Sequence, residues 1–388
     1  MIRRITFLII MLSTLAASAQ NISPSVKWKF GAALPPSRGQ SKSLGFAGVI
    51  NGVSNNVLIV AGGANFPHGL PWEGGKKYYS DEIHVLQKDG VNFLWNKKVI
   101  NKLPEPIAYC GSTSTDRGIA YVGGENENGI SNRCHLLRWN NQKDTVDIEA
   151  LPNLPIALTN IALTHIGNTL YAVGGDEEKI SSNSFYSLNL DDAEPQWQKL
   201  PHLPIALANA TAVSQYVKNE KEIFVIGGRS KSLSGVSDLH HTVYAFNIDT
   251  QKWSECADIS NGKYITNLSA ACGVALGNDE IMIIGGDNGK VFHQIENYIA
   301  QIKKATSPEE KEKLTEQKNE LSIHHKGFDK SILLYNTNIN EWTKIGDLPF
   351  PVQVTTTAIM WRNDIVISNG EIRPGVRTPN IMIGKIGR

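Results

Sequence analysis

Cysteine is scarce. The chain has four in 388 residues, Cys110, Cys134, Cys256 and Cys272, with no C-x-x-C pair and no Cys/His cluster at zinc-like spacing. This excludes a disulfide scaffold and a cysteine-based zinc site. Cys110 and Cys272 fall in strand-like apolar runs and read as buried free thiols. An excess of charge is also missing, with 38 Lys+Arg against 37 Asp+Glu and a formal net charge of +1. A nucleic-acid binder needs a basic surplus to neutralise phosphates, so that class is excluded. Hydrophobic residues make up 41% and charged residues 19%, the balance of a globular chain rather than a disordered one. No G-x-S-x-G, H-E-x-x-H or Walker A segment occurs. His240-His241 and His324-His325 are adjacent pairs whose side chains diverge on a strand, so they read as surface residues and no metal site is expected.

The one long apolar run is N-terminal. Arg3 and Arg4 precede 13 apolar-rich residues, Ile5 to Ala17, and Ala17-Ser18-Ala19 is an A-x-A site. A bilayer span takes roughly 20 residues, so this run is short for an anchor and reads as an export signal cleaved after Ala19. The expected mature chain, residues 20–388, carries a charge of −1 after the loss of Arg3 and Arg4. It is expected in the periplasm or outside the cell, with no membrane insertion.

Everything after the signal is repetitive. Apolar runs end in Gly-Gly at Val57–Ala61 before Gly62-Gly63, Ile119–Val122 before Gly123-Gly124, Leu170–Val173 before Gly174-Gly175, Ile223–Ile226 before Gly227-Gly228, and Ile281–Ile284 before Gly285-Gly286. Ile365–Ser368 before Asn369-Gly370 is a degenerate sixth copy, and successive copies lie 61, 51, 53, 58 and 84 residues apart. Each doublet is followed by another apolar run and a Trp near a turn (Trp95, Trp139, Trp197, Trp253, Trp342). Leu-Pro usually comes next, at Leu103-Pro104, Leu154-Pro155, Leu203-Pro204 and Leu348-Pro349. Each unit reads as four short strands. A lone four-stranded sheet cannot bury both faces, whereas sheets stacked in a ring can, and the ring also limits exposed edges.

The pattern resembles the Kelch repeat, and six copies imply an all-β, six-bladed β-propeller spanning nearly all of residues 24–388. The last unit offers three strands, Thr355–Trp361, Asp364–Asn369 and Ile381–Ile386, and then the chain stops. Val26–Phe30, with Trp28 and a following Leu34-Pro35, supplies the missing fourth, so the N-terminal strand is expected to close the sixth blade. Residues 290–328 interrupt the fifth unit between its second and third strands. There Ser307 and Pro308 have the form of an N-cap and first residue, which predicts a solvated helix over Glu309 to Leu321, a lid or strut over one face.

One loop carries candidate chemistry. Ser368 to Thr378 holds Glu371, Arg373 and Arg377 around a Pro374-Gly375 turn, which can fold Arg377 back toward Glu371 and place a base beside an anion-binding fork. Acids also follow the doublets at Glu125, Asp176 and Asp287, so a structural preference for an acid here stands as the alternative. Asn160 and Asn209, each five residues after a proline, and Asn267 are further candidates to line the channel mouth; ordinary turn roles stand beside that reading.

The N-G-E-x-x-P-G-x-R-T segment resembles the active-site segment of the N-acetylneuraminate epimerases, or sialic acid mutarotases. Gly45-Phe46-Ala47-Gly48, Ala61 to Ala64, Lys76 to His84 and the long insertion after Gly286-Asp287-Asn288 extend the resemblance over most of the chain. In the better-known branch the Gly-Phe-Ala-Gly blade follows the N-G-E segment. Here it comes first, as in the cyclically permuted branch; a closed ring tolerates such rotation because each blade touches only its neighbours. The resemblance implies interconversion of the α- and β-anomers of N-acetylneuraminate by ring opening and closure. It places the proton acceptor at Glu371 and the substrate-carboxylate contact at Arg377, with no metal or organic cofactor. A mutarotase for another sugar, and a non-catalytic Kelch module binding glycan or protein, remain open alternatives; the sequence leaves the oligomeric state open.

Overall fold

The computed structural model describes residues 24–37, 39–90 and 92–387. The expected signal peptide and its cleavage site lie outside the described residues. Six four-stranded antiparallel sheets follow one another around a ring. In the first blade the order from the axis outward is Ile50–Ser54, Val57–Ala61, Ile83–Asp89 and Asn92–Trp95. The innermost strands of neighbouring blades touch all the way round, including Ile50–Ser54 against Ala358–Trp361 at the closure.

The core lies between the blades, not inside any one of them. Six hydrophobic clusters each span two adjacent blades, and together they account for the six interfaces. This explains the unbroken apolar runs. On the strand Gly118–Val122, Ile119 and Tyr121 face the first blade, while Ala120 and Val122 face the third. A strand covered on both faces needs no polar alternation.

Four tryptophans on or beside outer strands tie blade to blade, whereas the buried indole nitrogen of Trp28 on Ser25–Ala33 has no protein partner. The indole N–H of Trp95 donates to Ala33 O at 2.8 Å, Trp197 to Pro152 O at 2.8 Å, Trp253 to Pro201 O at 2.9 Å and Trp342 to Ala257 O at 3.0 Å. Trp139 departs from this pattern. It lies on the third strand of its blade, Cys134–Asn140, and its buried indole nitrogen has no protein partner. The four cysteines are free; Cys272 is buried, with its thiol pushed up to about 12 by burial, while Cys110 is only half-buried.

The sixth blade closes as expected. Ser25–Ala33 pairs antiparallel with Asn380–Gly387, in register from Val26 opposite Ile386 to Phe30 opposite Met382. The first and last described strands thus share one sheet. The insertion is a helical hairpin between the second and third strands of the fifth blade: α1, Lys290–Lys304, and α2, Pro308–Ile323. Ser307 caps α2 by accepting from Glu310 N at 3.1 Å. The expected helix matches α2 alone; α1 is an addition, and Phe292, Ile295, Ile299 and Ile302 recur along it at helical spacing.

The doublets follow the second strands, where the backbone of the next blade passes close by. At Gly174, φ is +66° and an added Cβ would stand 2.1 Å from Leu207 O in the next blade. Both the left-handed angle and the close approach require glycine there. Gly174→Ala is therefore expected to cost roughly 2–5 kcal/mol, combining backbone strain with overpacking. Urea unfolding would show it as a lower midpoint; an unchanged midpoint would mean the third and fourth blades separate without penalty.

Candidate active site

The site is built on a six-fold frame. Gly48, Tyr109, Asn160, Asn209, Ala270 and Thr355 each precede an inner strand and all have positive φ, between +52° and +65°. Five backbone bonds link them around the axis: Gly48 N to Thr355 O, Tyr109 N to Gly48 O, Asn160 N to Tyr109 O, Asn209 N to Asn160 O and Ala270 N to Asn209 O, at 2.7–3.0 Å. Just outside this ring, the residue after each doublet forms a β-bridge to the residue preceding a ring member. Those six equivalent positions hold Ala64, Glu125, Asp176, Arg229, Asp287 and Glu371. The frame thus presents six side chains of four kinds at one rim.

Glu371 is fixed by two backbone bonds with Val354, each 2.9 Å. Its carboxylate Oε1 accepts from Arg377 Nη1 at 2.7 Å and from Gly375 N at 2.5 Å. The Pro374-Gly375 turn thus folds Arg377 onto Glu371, and the side chains are only 6% (Arg377) and 16% (Glu371) exposed. Tyr109 Oη lies 3.4 Å from Arg377 Nη2, Ala64 O lies 3.5 Å from its Nε, and the Phe66 ring lies 4.9 Å from the guanidinium carbon. Burial opposes the guanidinium charge, but Glu371 and Tyr109 outweigh it and the Arg377 pKa rises.

Two neighbouring positions are neutralised in pairs. Asp176 takes both terminal nitrogens of Arg229, at 2.5 and 3.3 Å, together with Ser181 Oγ at 2.8 Å and Asn160 Nδ2 at 3.1 Å. Glu125 takes Lys77 Nζ at 3.0 Å and Tyr79 Oη at 2.8 Å. Asp287 has a different setting. Its Oδ1 accepts from Gly289 N at 2.8 Å, at the start of α1, and burial together with the Glu371 charge pushes its pKa up.

A cavity of about 320 Å³ opens over this rim. Glu371, Asp287, Arg229 and Lys318 bring charge to it, and Trp72, Phe292, Ile299 and Phe328 give it apolar walls. A second cavity, about 330 Å³, runs down the axis between the inner strands and shares Asn209, Ala270 and Thr355 with the first. The upper space therefore sits over the mouth of the central channel. Both helices of the insertion wall it, α1 with Phe292, Ile295 and Ile299, and α2 with Lys318, Asn319 and Ser322. Among the described residues no group of three or more His, Cys, Asp or Glu side chains has metal-site geometry.

The structure brings Glu371, Arg377, Asn160 and Asn209 to one face, but not Asn267. Aligned on Leu158, Leu207 and Leu268, which each accept from the second glycine of the preceding blade, Asn267 matches Ala157 and Ala206. The ring position of its unit is Ala270, and Asn267 lies beside His241 Nδ1 at 3.1 Å, off the cavity wall. Arg377, expected to meet the substrate's carboxylate, forms an ion pair with Glu371. The cations lining the cavity are Arg229 and Lys318. Arg229 follows a doublet exactly as Glu371 does, a positional signal that a search confined to acids passes over. His325, expected at the surface, is buried, 9% exposed, against Phe328 with its Nδ1 accepting from Gly327 N at 3.0 Å.

The class is a six-bladed β-propeller of Kelch type with a charged cavity over its axis. A family model described as N-acetylneuraminate epimerase matches residues 11–146 and 151–388, and the chain belongs to that family. Named N-acetylneuraminate epimerases resemble it in part: one from Haemophilus influenzae (strain PittEE) is 26% identical over 246 residues, 62% of this chain and 60% of that protein. One from Brucella melitensis biotype 1 is 27% identical over 241 residues, 61% and 59% of the two chains. One from Vibrio vulnificus reaches 39% over 132 residues, 31% and 33% of the two. The chain thus spans about 60% of the length of the first of these relatives. A solved structure titled "Structure of YjhT" superposes with a TM-score of 0.59 at 16% identity, covering 92% of this chain and 99% of that one, and shares the fold.

Burial also holds the imidazoles of His135, His165, His240 and His325 below their ordinary value. A base lowered on folding contributes stability above its unfolded pKa, which is lost as pH falls through the folded value. The urea midpoint is expected to drop between about pH 7.5 and about pH 5.5, since unfolded histidine titrates near 6.5. His325→Gln should narrow that drop; an unchanged pH difference would remove His325 from the account.

Proposed function

We propose that this chain is an exported mutarotase that interconverts the α- and β-anomers of N-acetylneuraminate. The observation that carries the reading is the Glu371 carboxylate, clamped by Arg377 and the Gly375 amide at the edge of a small-molecule-sized cavity. Family membership supports the substrate class. The partial coverage of the relatives supports the permuted blade order, because a linear alignment of two rotated rings follows one arc at a time. The n-region, apolar run and A-x-A site support export of residues 20–388 to the periplasm or beyond.

In this mechanism Glu371 takes the proton of the anomeric hydroxyl. The ring opens to the keto form, the bond to the carbonyl carbon rotates, and the ring recloses on the other face. Arg377 is a positioning residue: it fixes the orientation of the Glu371 carboxylate, as a buried charge-assisted bond does. The sugar's carboxylate is met by Lys318 of α2, which lines the cavity, whereas the Arg229 guanidinium is held by Asp176. The apolar walls cover the less polar face of the sugar and exclude water from the reacting centre.

Freshly dissolved α-anomeric N-acetylneuraminate, followed by NMR, tests the reading. The enzyme should speed approach to the same anomeric equilibrium, and Glu371→Gln should remove about 10²–10⁴-fold of the acceleration. No acceleration over the spontaneous rate at high enzyme concentration would refute the assignment for this sugar.

A further inference from the structure

Ring opening needs a second proton transfer. The anomeric hydroxyl loses a proton, and the departing ring oxygen must gain one. The proposed function supplies the base and leaves the acid unassigned.

The six-fold frame places a second carboxyl one blade from Glu371. Asp287 follows Gly286 in the fifth blade as Glu371 follows Gly370 in the sixth. Asp287 is held by backbone bonds to Ser269, N to O 2.8 Å and O to N 2.9 Å, just as Glu371 is held by Val354. The ring residues next to those two bridges, Ala270 and Thr355, line the same cavity as both carboxyls. The two groups thus project from adjacent blades at equivalent heights into one space.

We propose that Asp287 is the general acid of this site, delivering a proton to the ring oxygen of a sugar whose anomeric hydroxyl is deprotonated by Glu371; the assignment rests on the mutarotase reading. The surroundings divide the roles. Glu371 faces a guanidinium and a backbone amide, a setting for an anionic base. Among the described residues Asp287 accepts one hydrogen bond, from the neutral Gly289 amide. Burial comes first and the Glu371 charge second among the effects that favour its protonated form. The other charged groups that line this space are Arg229 from the fourth blade and Lys318 from α2, while His325 at the end of the insertion is buried close enough to feel the Glu371 charge. The net shift at Asp287 is upward despite the hydrogen bond from Gly289, which favours the carboxylate. Two carboxyls whose environments push them apart are the usual arrangement for an acid and a base in one site.

The step balances. The O–H bond of the anomeric hydroxyl breaks toward Glu371, and its electron pair forms the carbonyl. The bond from the anomeric carbon to the ring oxygen breaks, its electrons stay on that oxygen, and the Asp287 proton converts it to a hydroxyl. After rotation the hydroxyl attacks the other carbonyl face and returns its proton to Asp287, while Glu371 returns its proton to the carbonyl oxygen. Both residues end as they began.

Asp287→Asn is the informative variant, because its amide oxygen keeps the Gly289 bond at the start of α1 while the acidic proton is gone. Anomer exchange is measured by NMR for wild type, Asp287→Asn and Glu371→Gln from about pH 5 to about pH 9, with melting temperature and KM as controls. An acid works while protonated, so the wild-type kcat should fall on the alkaline side as Asp287 ionises. Asp287→Asn should lose about 10²-fold in kcat, keep KM and melting temperature, and lack that alkaline fall. A variant kcat within about threefold of wild type, or a large loss with the alkaline fall intact, overturns the assignment. If the variant does not fold, the wild-type profile decides, and a flat alkaline side rejects Asp287. Wild type active, Glu371→Gln inactive and Asp287→Asn unchanged would sink this inference alone, whereas an inactive wild type would sink the mutarotase reading itself.

Discussion

The structure depends on a collar of backbone hydrogen bonds at the axis. Six residues in left-handed conformation, one per blade, are linked by five amide-to-carbonyl bonds around the channel mouth. Their directions leave the polar backbone of the inner loops satisfied where no water-facing strand edge is available. The left-handed angle also selects the residues. Glycine at 48 and asparagine at 160 and 209 enter it at little cost. Tyr109 and Thr355 adopt it at a penalty, a cost accepted where the surroundings dictate the angle. Both flank the site: Tyr109 reaches Arg377, and Thr355 lines the cavity beside Glu371.

Given that collar, equivalent positions become a register in which chemistry is varied without disturbing the fold. Ala64, Glu125, Asp176, Arg229, Asp287 and Glu371 share one backbone setting. Asp176 and Arg229 cancel each other across two blades, and Glu125 is answered by Lys77 from the first blade's long loop. The Asp176–Arg229 pair is buried, contributes little net stability after desolvation, and serves to hold geometry. The Glu371–Arg377 pair belongs to the same category but faces the cavity, where the carboxylate is within reach of a ligand.

Much of this was legible in the chain. Gly-Gly runs, following tryptophans and the orphan strand Val26–Phe30 specify blades and closure, because burial on both faces forces a local pattern that repeats. The contact between Glu371 and Arg377 was legible because a Pro-Gly turn joins them within six positions. Other features were not. Asn267 was misplaced because its unit lacks the Pro-x-Ala-Leu-x-Asn spacing of the third and fourth blades, so that only the Leu268 carbonyl, accepting from Gly228, reveals the register. His325 was missed because its burial comes from Phe328 and the folded insertion, contacts a strand-based reading does not contain. The pairing of Arg229 with Asp176 spans 53 positions and two blades, and no local pattern announces it.

The placement of the walls follows from the same geometry. In every blade the connection from second to third strand leaves on the rim that carries the six equivalent positions. Lengthening that connection adds material over the cavity and leaves the four-stranded sheet unchanged. The first blade uses it for the Pro71–Glu73 turn, whose Pro71 packs against Gly375, where an added Cβ would stand 2.9 Å away. The fifth uses it for the helical hairpin, and the sixth for the Glu371–Arg377 turn itself. These three blades are consecutive around the closed ring, so their enlarged loops meet over one side of the axis. The ring closure supplied by Ser25–Ala33 therefore does more than tie down a terminus: it brings the first blade's loop against the last blade's turn, and so completes the wall around Glu371.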